Sequence, residues 1–571
     1  MEYVIFAAAM VVLLVIFTMK GFLDDRKGRQ LFVKELQNHY GKLPEREYKP
    51  EMYEAIAKYY HKHQKDGQID DITWNDLDMD QIFKIMNHTL SSAGAEYLYY
   101  TLRTPKVNKA EFARMEEQIV YFMEHEEERL TLQKLFMELG TMGKYSLYDY
   151  LDYLGNLGKR SNRKHHVANL CMLLAVLSCF IIPSYGMLVL IAVVIFNIST
   201  YLKDKKDIEP YIISLSYIMR LLQITDKLQK TKIEVIQEEQ EKLIGYRKKF
   251  NQFTRNSFLV MADTSSNGNP FDVFFIYMKM IFHVDLIKFN QMLASVRNQE
   301  EEIDQMLTIV GYIETLISIG AFRASMQTYA IPEFIDENKI EAKQIYHPLI
   351  THPVKNDIVT ERGVLLTGSN ASGKSTFLKT IALNAILAQT IHCVLADKYV
   401  APFFRIYSSM ALRDDLTGGD SYYIVEIKAL RRVLKAAKEQ SDLPVLCFVD
   451  EVLRGTNTVE RIAASMQILK SLAQDHVMCF AATHDIELTH LLEAYYDNYH
   501  FKEEIEDNDV LFSYKLLEGR STTRNAIKLL GIMGYEETLI NEAEKMATTF
   551  LTEGNWKVES SDIRKNNNDE R

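Results

Sequence analysis

Gly368-Ser369-Asn370-Ala371-Ser372-Gly373-Lys374-Ser375-Thr376 is the stretch that decides the reading of this chain. It matches the phosphate-loop pattern G-x-x-x-x-G-K-[ST] in full. The run before it, Gly363-Val364-Leu365-Leu366-Thr367, reads as a buried strand, and Phe377-Leu378-Lys379-Thr380-Ile381-Ala382-Leu383 after it reads as a helix. Strand, glycine loop and helix in that order point to a nucleoside triphosphate site. Backbone amides of the loop and the helix N-terminus are expected to hold phosphate oxygens. Lys374 is expected to reach the β- and γ-phosphates, and Ser375 to ligate magnesium.

Downstream, Val445-Leu446-Cys447-Phe448-Val449 and Val477-Met478-Cys479-Phe480-Ala481-Ala482 are continuous apolar runs, as parallel strands covered on both faces should be. Strands alternate with helices from about residue 345, which predicts a doubly wound α/β nucleotide-binding domain. The first run ends in Asp450-Glu451. Asp450 is placed to reach magnesium beside the loop, and Glu451 to orient and deprotonate an attacking water. The second run ends in Thr483-His484, where a histidine can polarise the γ-phosphate. Between them, Asp414-Asp415-Leu416-Thr417-Gly418-Gly419-Asp420-Ser421-Tyr422-Tyr423-Ile424-Val425-Glu426 puts a glycine turn before a helix starting near Ser421. A helix N-terminus with a free hydroxyl is an anion site, open to a phosphate from a partner subunit.

Together these motifs resemble the MutS family of DNA mismatch-repair ATPases. Residues 367–376 are similar to that family's T-G-x-N-x-x-G-K-S-T loop, and residues 414–426 to its D-D-L-x-x-G-x-S-x-F-x-x-E element, with Tyr423 at the usual Phe. Residues 450–458 resemble its D-E-x-x-R-G-T-x-T signature, Ala482-Thr483-His484 its A-T-H switch, His347-Pro348 its opening pair and Asn498-Tyr499-His500 its N-V-H strand. Upstream, Asn87-His88-Thr89 through Gly94, Leu98, Leu102-Arg103 and Pro105 look like its helical core segment. The resemblance implies a P-loop ATPase of the ABC/MutS type that works as a homodimer with composite sites. Gly368, Ser369, Asn370, Ala371, Ser372, Gly373, Lys374, Ser375 and Thr376 would bind ATP, and Ser375 and Asp450 would hold Mg2+. Asn370 and His484 would contact the γ-phosphate or the attacking water, and Glu451 would be the general base. Ser421 would reach the ATP of the opposite subunit, and His500 would lie near the adenine. DNA is a partner by resemblance.

The remainder of the chain departs from that family. With 571 residues, roughly three or four domains are expected. The net charge of -11 argues against a basic nucleic-acid coat, although not against a local patch. Five cysteines lie in apolar runs without metal-ligand spacing, which predicts a reduced, buried set. Residues 3–19 form a nearly unbroken apolar run followed by Lys20, Arg26, Lys27 and Arg29. That order reads as an uncleaved anchor with the chain beyond residue 20 in the cytoplasm. A second apolar block, residues 167–200, has no charge and is interrupted at Pro183-Ser184-Tyr185-Gly186. Basic residues flank both ends, so a membrane hairpin in contact with lipid is expected, with arms of roughly 16 residues. The alternative is an apolar hairpin packed on soluble protein.

The expected organisation is an anchor at 1–20, a helical core-like region at 21–158 and the hairpin at 159–206. A helical lever follows at 207–340, then the ATPase domain at 341–550 and a polar tail at 551–571. Pro105 is expected to end one helix and Asn108 to cap the next. Leu221, Ile224, Leu228 and Val235 are expected on one helix face. No mismatch-reading domain precedes the helical core, so the expectation is a membrane-anchored MutS-like protein lacking the mismatch-recognition domain. Its function would be ATP hydrolysis coupled to DNA binding in repair-like or recombination processing. The competing reading is an ATP-driven mechanical or signalling module, or a transporter-type ATPase, that binds no DNA.

Overall fold

The computed structural model describes residues 20, 27–28, 30–156, 160–256, 270–369, 372–410, 422–454, 456–506, 509–521 and 526–556. They fall into two units. The expected anchor at 1–20, apart from Lys20, and the tail from residue 557 lie outside the described residues.

The first unit comprises Ile69–Met79, Thr328–Ala388 and Cys393–Arg571. Its strands are β1 (Glu333–Phe334), β2 (Ile340–Ile345), β3 (Asn356–Thr360), β4 (Gly363–Thr367), β5 (Lys398–Ala401), β6 (Arg405–Ser409), β7 (Val445–Asp450), β8 (Val477–Ala482), β9 (Tyr496–Glu506) and β10 (Asp509–Glu518). Six of them form one sheet in the order β10-β9-β4-β8-β7-β6, and the other four form a second in the order β1-β5-β2-β3. In the larger sheet all neighbours are parallel except β10, which returns antiparallel along β9. Parallel neighbours need crossovers. Helices Tyr422–Lys438 and Thr458–Leu472 supply those into β7 and β8, and helix Lys374–Ile391 follows β4. All of Val445 to Val449 and all six residues of β8 are buried, which explains why both read as unbroken apolar runs. Register pairs Leu366 with Ala482 and Asp450 with Ala482, so the carboxyl ends of β4, β7 and β8 finish level.

Helix Asp71–Asp76 belongs to this unit, although the sequence reading placed it in the helical region before the hairpin. Its contacts are polar and specific. Asp76 accepts from the Ser408 hydroxyl at 2.6 Å and the Met410 amide at 2.9 Å, and Asp70 pairs with Arg432. The unit's main segment begins at Thr328, earlier than the expected 341.

The second unit, Met1–Gln68, Asp80–Gln327 and Gln389–His392, is helical. Its central helix, Glu300–Ser325, is apolar enough to cross a membrane, but 78% of its most apolar window is buried inside the protein. It is a core helix. Its Glu314 carboxylate accepts from the Ser91 amide at 3.0 Å and from the Leu90 amide and Ser91 hydroxyl, ordering the start of helix Ser92–Arg103. Burial pushes this carboxyl up to about 7 against the pull of those bonds. That helix ends before Pro105, and Asn108 caps the next, Lys109–Glu124, by accepting from the Ala110 amide at 2.9 Å.

The apolar block forms two packed helices, Arg163–Ile181 and Pro183–Leu228, turning at Ile182. Gly186 lets them touch: a Cβ there would lie 2.6 Å from the Cys179 backbone. The arms are longer than expected, because the second runs on as one 46-residue helix to Leu228. The expected boundary at 206 therefore falls inside a helix. Leu221, Ile224 and Leu228 share its buried face, whereas Val235 lies beyond its end in a short 3-10 turn. Leu170, Leu173, Leu177, Phe180, Leu188, Ile195 and Phe196 remain exposed. Two of the five free cysteines, Cys171 and Cys179, are on this hairpin and are not buried, unlike Cys393, Cys447 and Cys479.

Candidate active site

The phosphate loop joins β4 to helix Lys374–Ile391. Gly368 sits at φ +136°, and a Cβ there would come within 2.9 Å of the Phe501 carbonyl and the Ser372 hydroxyl, so glycine is required for the turn. The Ser372 hydroxyl donates to the Ser369 carbonyl at 2.7 Å and holds the loop closed. Lys374 is almost wholly buried. Its ammonium donates to the carbonyls of Gly368 at 2.8 Å and Ser369 at 2.7 Å and lies 3.4 Å from His484 Nε2. Asn370 and Ala371 lie outside the described residues.

The ends of β7 and β8 bring the acidic pair and the histidine to this loop. The Glu451 amide donates to the Ala482 carbonyl at 2.9 Å, and the Thr483 amide to the Leu366 carbonyl at 3.0 Å, which extends the sheet past its last strand residues. His484 Nε2 is 2.5 Å from Glu451 Oε1, and Arg454 pairs with Glu451 Oε2. Burial alone would raise the Glu451 carboxyl; the bonds from His484 and Arg454 outweigh it and hold the group at about 2. Glu451 is therefore a carboxylate at any neutral pH. Both Glu451 and Leu453 take positive φ, 54° and 56°, which costs each about 1–2 kcal/mol. Part of what holds this turn is Glu426, whose buried carboxylate accepts from the Leu453 amide.

Asp450 differs from its neighbour. Burial raises its carboxyl, the Ser375 hydroxyl bonded to it pulls the other way, and the Glu451 charge raises it again. Its Oδ1 is buried without a hydrogen-bond partner among the described residues. A buried carboxylate oxygen left over beside a serine hydroxyl fits a hard, oxygen-loving cation such as Mg2+.

Beside the loop lies a cavity of 530 Å3 whose walls include Gly373, Thr376, Phe377, His347, Phe501 and Tyr514. Phosphate-loop residues and aromatic and apolar groups together suit a nucleotide, and the Tyr514 ring would lie 3.2 Å from a Cβ at Gly373. Burial lowers His347 to about 4, so it lines the cavity as a neutral ring. Side chains alternate along β9. Phe501 faces the cavity, while His500, expected near the base, bonds through Nδ1 with the Gly519 carbonyl at 3.1 Å and is not among the lining residues. Ser421 and the rest of 411–421 lie outside the described residues; helix Tyr422–Lys438 begins directly after them. Sequence reasoning gave no role to Phe501 and Tyr514, which carry no motif. Glu426, Arg454 and His347 lie within motifs that do not reveal their contacts.

A glycine loop between a central parallel strand and a helix, with an acidic pair at the end of another strand of the same sheet, defines a P-loop nucleotide-binding domain of the ATPase class. More narrowly, residues 364–551 match the family MutS domain V. The chain is similar to the DNA mismatch repair protein MutS of Pseudothermotoga lettingae, 30% identical over 269 residues, covering 45% of this chain and 33% of that protein. It is also similar to the same-named proteins of Thermotoga maritima, 31% identical over 266 residues (45% and 33%), and Thermus thermophilus, 30% identical over 259 residues (44% and 31%). The chain thus spans about a third of the length of these relatives.

Proposed function

We propose that this protein is a membrane-anchored MutS-like ATPase that hydrolyses Mg-ATP at composite sites of a homodimer and couples the cycle to DNA binding in repair-like or recombination processing. The observation that carries the hydrolytic reading is the Glu451 carboxylate, held charged and 2.5 Å from His484, one residue from Asp450 at the phosphate loop.

Amides of residues 368–376 bind the phosphates, and the Lys374 ammonium moves from the Gly368 and Ser369 carbonyls to phosphate oxygens. Ser375 and Asp450 would hold Mg2+, which when bound would neutralise phosphate charge. Glu451 accepts the proton of the water whose oxygen attacks the γ-phosphorus; the bond to the β-bridging oxygen breaks and ADP leaves. His484 orients that carboxylate, and with Asn370 contacts the γ-phosphate or the water. Ser421 from the opposite subunit completes the site. Phe501 and Tyr514 supply the apolar wall for the base, and His500 holds the Gly519 turn behind it.

The exposed apolar hairpin supports a bilayer location; basic residues on both its flanks favour a cytoplasmic ATPase unit, and the basic cluster after residues 3–19 favours an N-terminus outside. The names of the relatives support DNA as the ligand. The same hairpin favours a second reading, an ATP-driven mechanical, signalling or transporter-type module without DNA. Turnover of the full chain in detergent, with and without duplex and branched DNA at low salt, separates the two. Stimulation that fades with added salt supports the DNA reading; turnover indifferent to DNA at low salt refutes it.

A further inference from the structure

At the polar foot of the hairpin, the N-terminus of helix Arg163–Ile181 and the second arm near Asp204 enclose a cavity of 510 Å3. It lies wholly within the helical unit. Arg160, Arg163 and Lys164 line it together with Asp204, Asp207 and Asn290. Lys164 is committed to Asp204 at 2.6 Å, whereas Arg160 and Arg163 have no acidic partner among the described residues. Two unmatched guanidiniums against Asp207 leave one positive charge in excess. The floor is fixed by polar bonds: Asn290 donates to Asn162 at 2.7 Å, and Asn162 to the Ile287 carbonyl at 3.3 Å. Immediately beyond the foot, Val167, Leu170 and Leu202 are more than half exposed and open onto the apolar arms.

We propose that this cavity binds the phosphodiester of one anionic phospholipid, with Arg160 and Arg163 on the phosphate and the acyl chains lying along the hairpin. A single phosphodiester charge balances the excess, and planar guanidiniums match phosphate oxygens in pairs. Exposed apolar side chains beginning at the cavity rim select a lipid over a free phosphate, which has no use for them. A basic pocket between apolar helices on the cytoplasmic side is the setting in which lipid headgroups are held. The proposal rests on the membrane reading of the hairpin.

The test uses the full chain in phosphatidylcholine nanodiscs containing a minor fraction of phosphatidylglycerol, with retained lipid identified by native mass spectrometry. Phosphatidylglycerol is expected on the protein at about fivefold or more over its share of the disc, and Arg160→Gln/Arg163→Gln returns it to the bulk ratio. Lys203→Gln/Lys206→Gln removes the same charge from the same foot outside the cavity lining and leaves the enrichment intact; an equal loss there would mean diffuse attraction and overturn the site. Enrichment abolished by millimolar inorganic phosphate assigns the pocket to free phosphate and also overturns the lipid proposal. A Phe180→Trp reporter quenched by acyl-brominated lipid separates the two readings. Without quenching, the membrane reading fails and the site with it; quenching with lipid at the bulk ratio overturns the site alone.

Discussion

Burial would push the Glu451 carboxyl up, yet His484 and Arg454 hold it at about 2. A depressed carboxyl contributes stability above its unfolded value near 4.5 and loses it as pH falls toward 2. It also keeps the carboxylate proposed as the base ionised through the whole neutral range. Removing the Arg454 charge raises this carboxyl, so the acid limb of the turnover profile in Arg454→Ala moves to higher pH than in the parent chain. A pH profile of kcat for the two proteins checks this, and coincident acid limbs count against it. Lys374, buried against the loop carbonyls, is placed to exchange them for phosphate oxygens. Lys374→Ala is expected to lose binding of a fluorescent ATP analogue by at least about a hundredfold, from losing a charge-assisted contact in a low-dielectric site. These residues were legible because phosphate chemistry demands fixed types at fixed spacing. Phe501 and Tyr514 were not, because an apolar cavity wall can be built from many side chains. His500 is absent from the residues lining the cavity because side chains alternate along β9 and Phe501 faces it, an alternation that a motif does not reveal.

At the scale of elements, apolar runs buried on both faces announced β7 and β8, and strand order then fixed where their acidic and histidine ends meet. Helix Asp71–Asp76 was not assigned correctly, since six residues carry too little periodicity to show a partner some 330 positions away. Its attachment is polar. Asp76→Ala leaves the Ser408 hydroxyl and the Met410 amide without their acceptor, which is expected to cost about 2–4 kcal/mol of unit stability in denaturant unfolding; a change below about 0.5 kcal/mol would remove the role given to this helix. The apolar hairpin was legible from its uncharged length, but its arms were set too short. The second arm passes from an exposed apolar stretch into a buried amphipathic one without a break, and only the change in which residues are buried marks the passage.

For the whole molecule, the sequence reading and the match over residues 364–551 agree on the ATPase part, while the helical unit carries an apolar hairpin that the ATPase motifs do not anticipate. If the sites are composite, Ser421 and Glu451 act in different subunits at each site. Ser421→Ala and Glu451→Gln chains are then each inactive alone, and mixing and re-equilibrating them restores one intact site in each mixed dimer. Random pairing gives about a quarter of parental turnover; no recovery on mixing would show that both residues serve the same subunit's nucleotide. The most direct measurement of the central claim is single-turnover hydrolysis by the full-length Glu451→Gln chain at saturating Mg-ATP. The account predicts nucleotide binding close to that of the parent chain with hydrolysis slowed by about 10²–10⁴-fold, the contribution of a general base. Unchanged hydrolysis would contradict it.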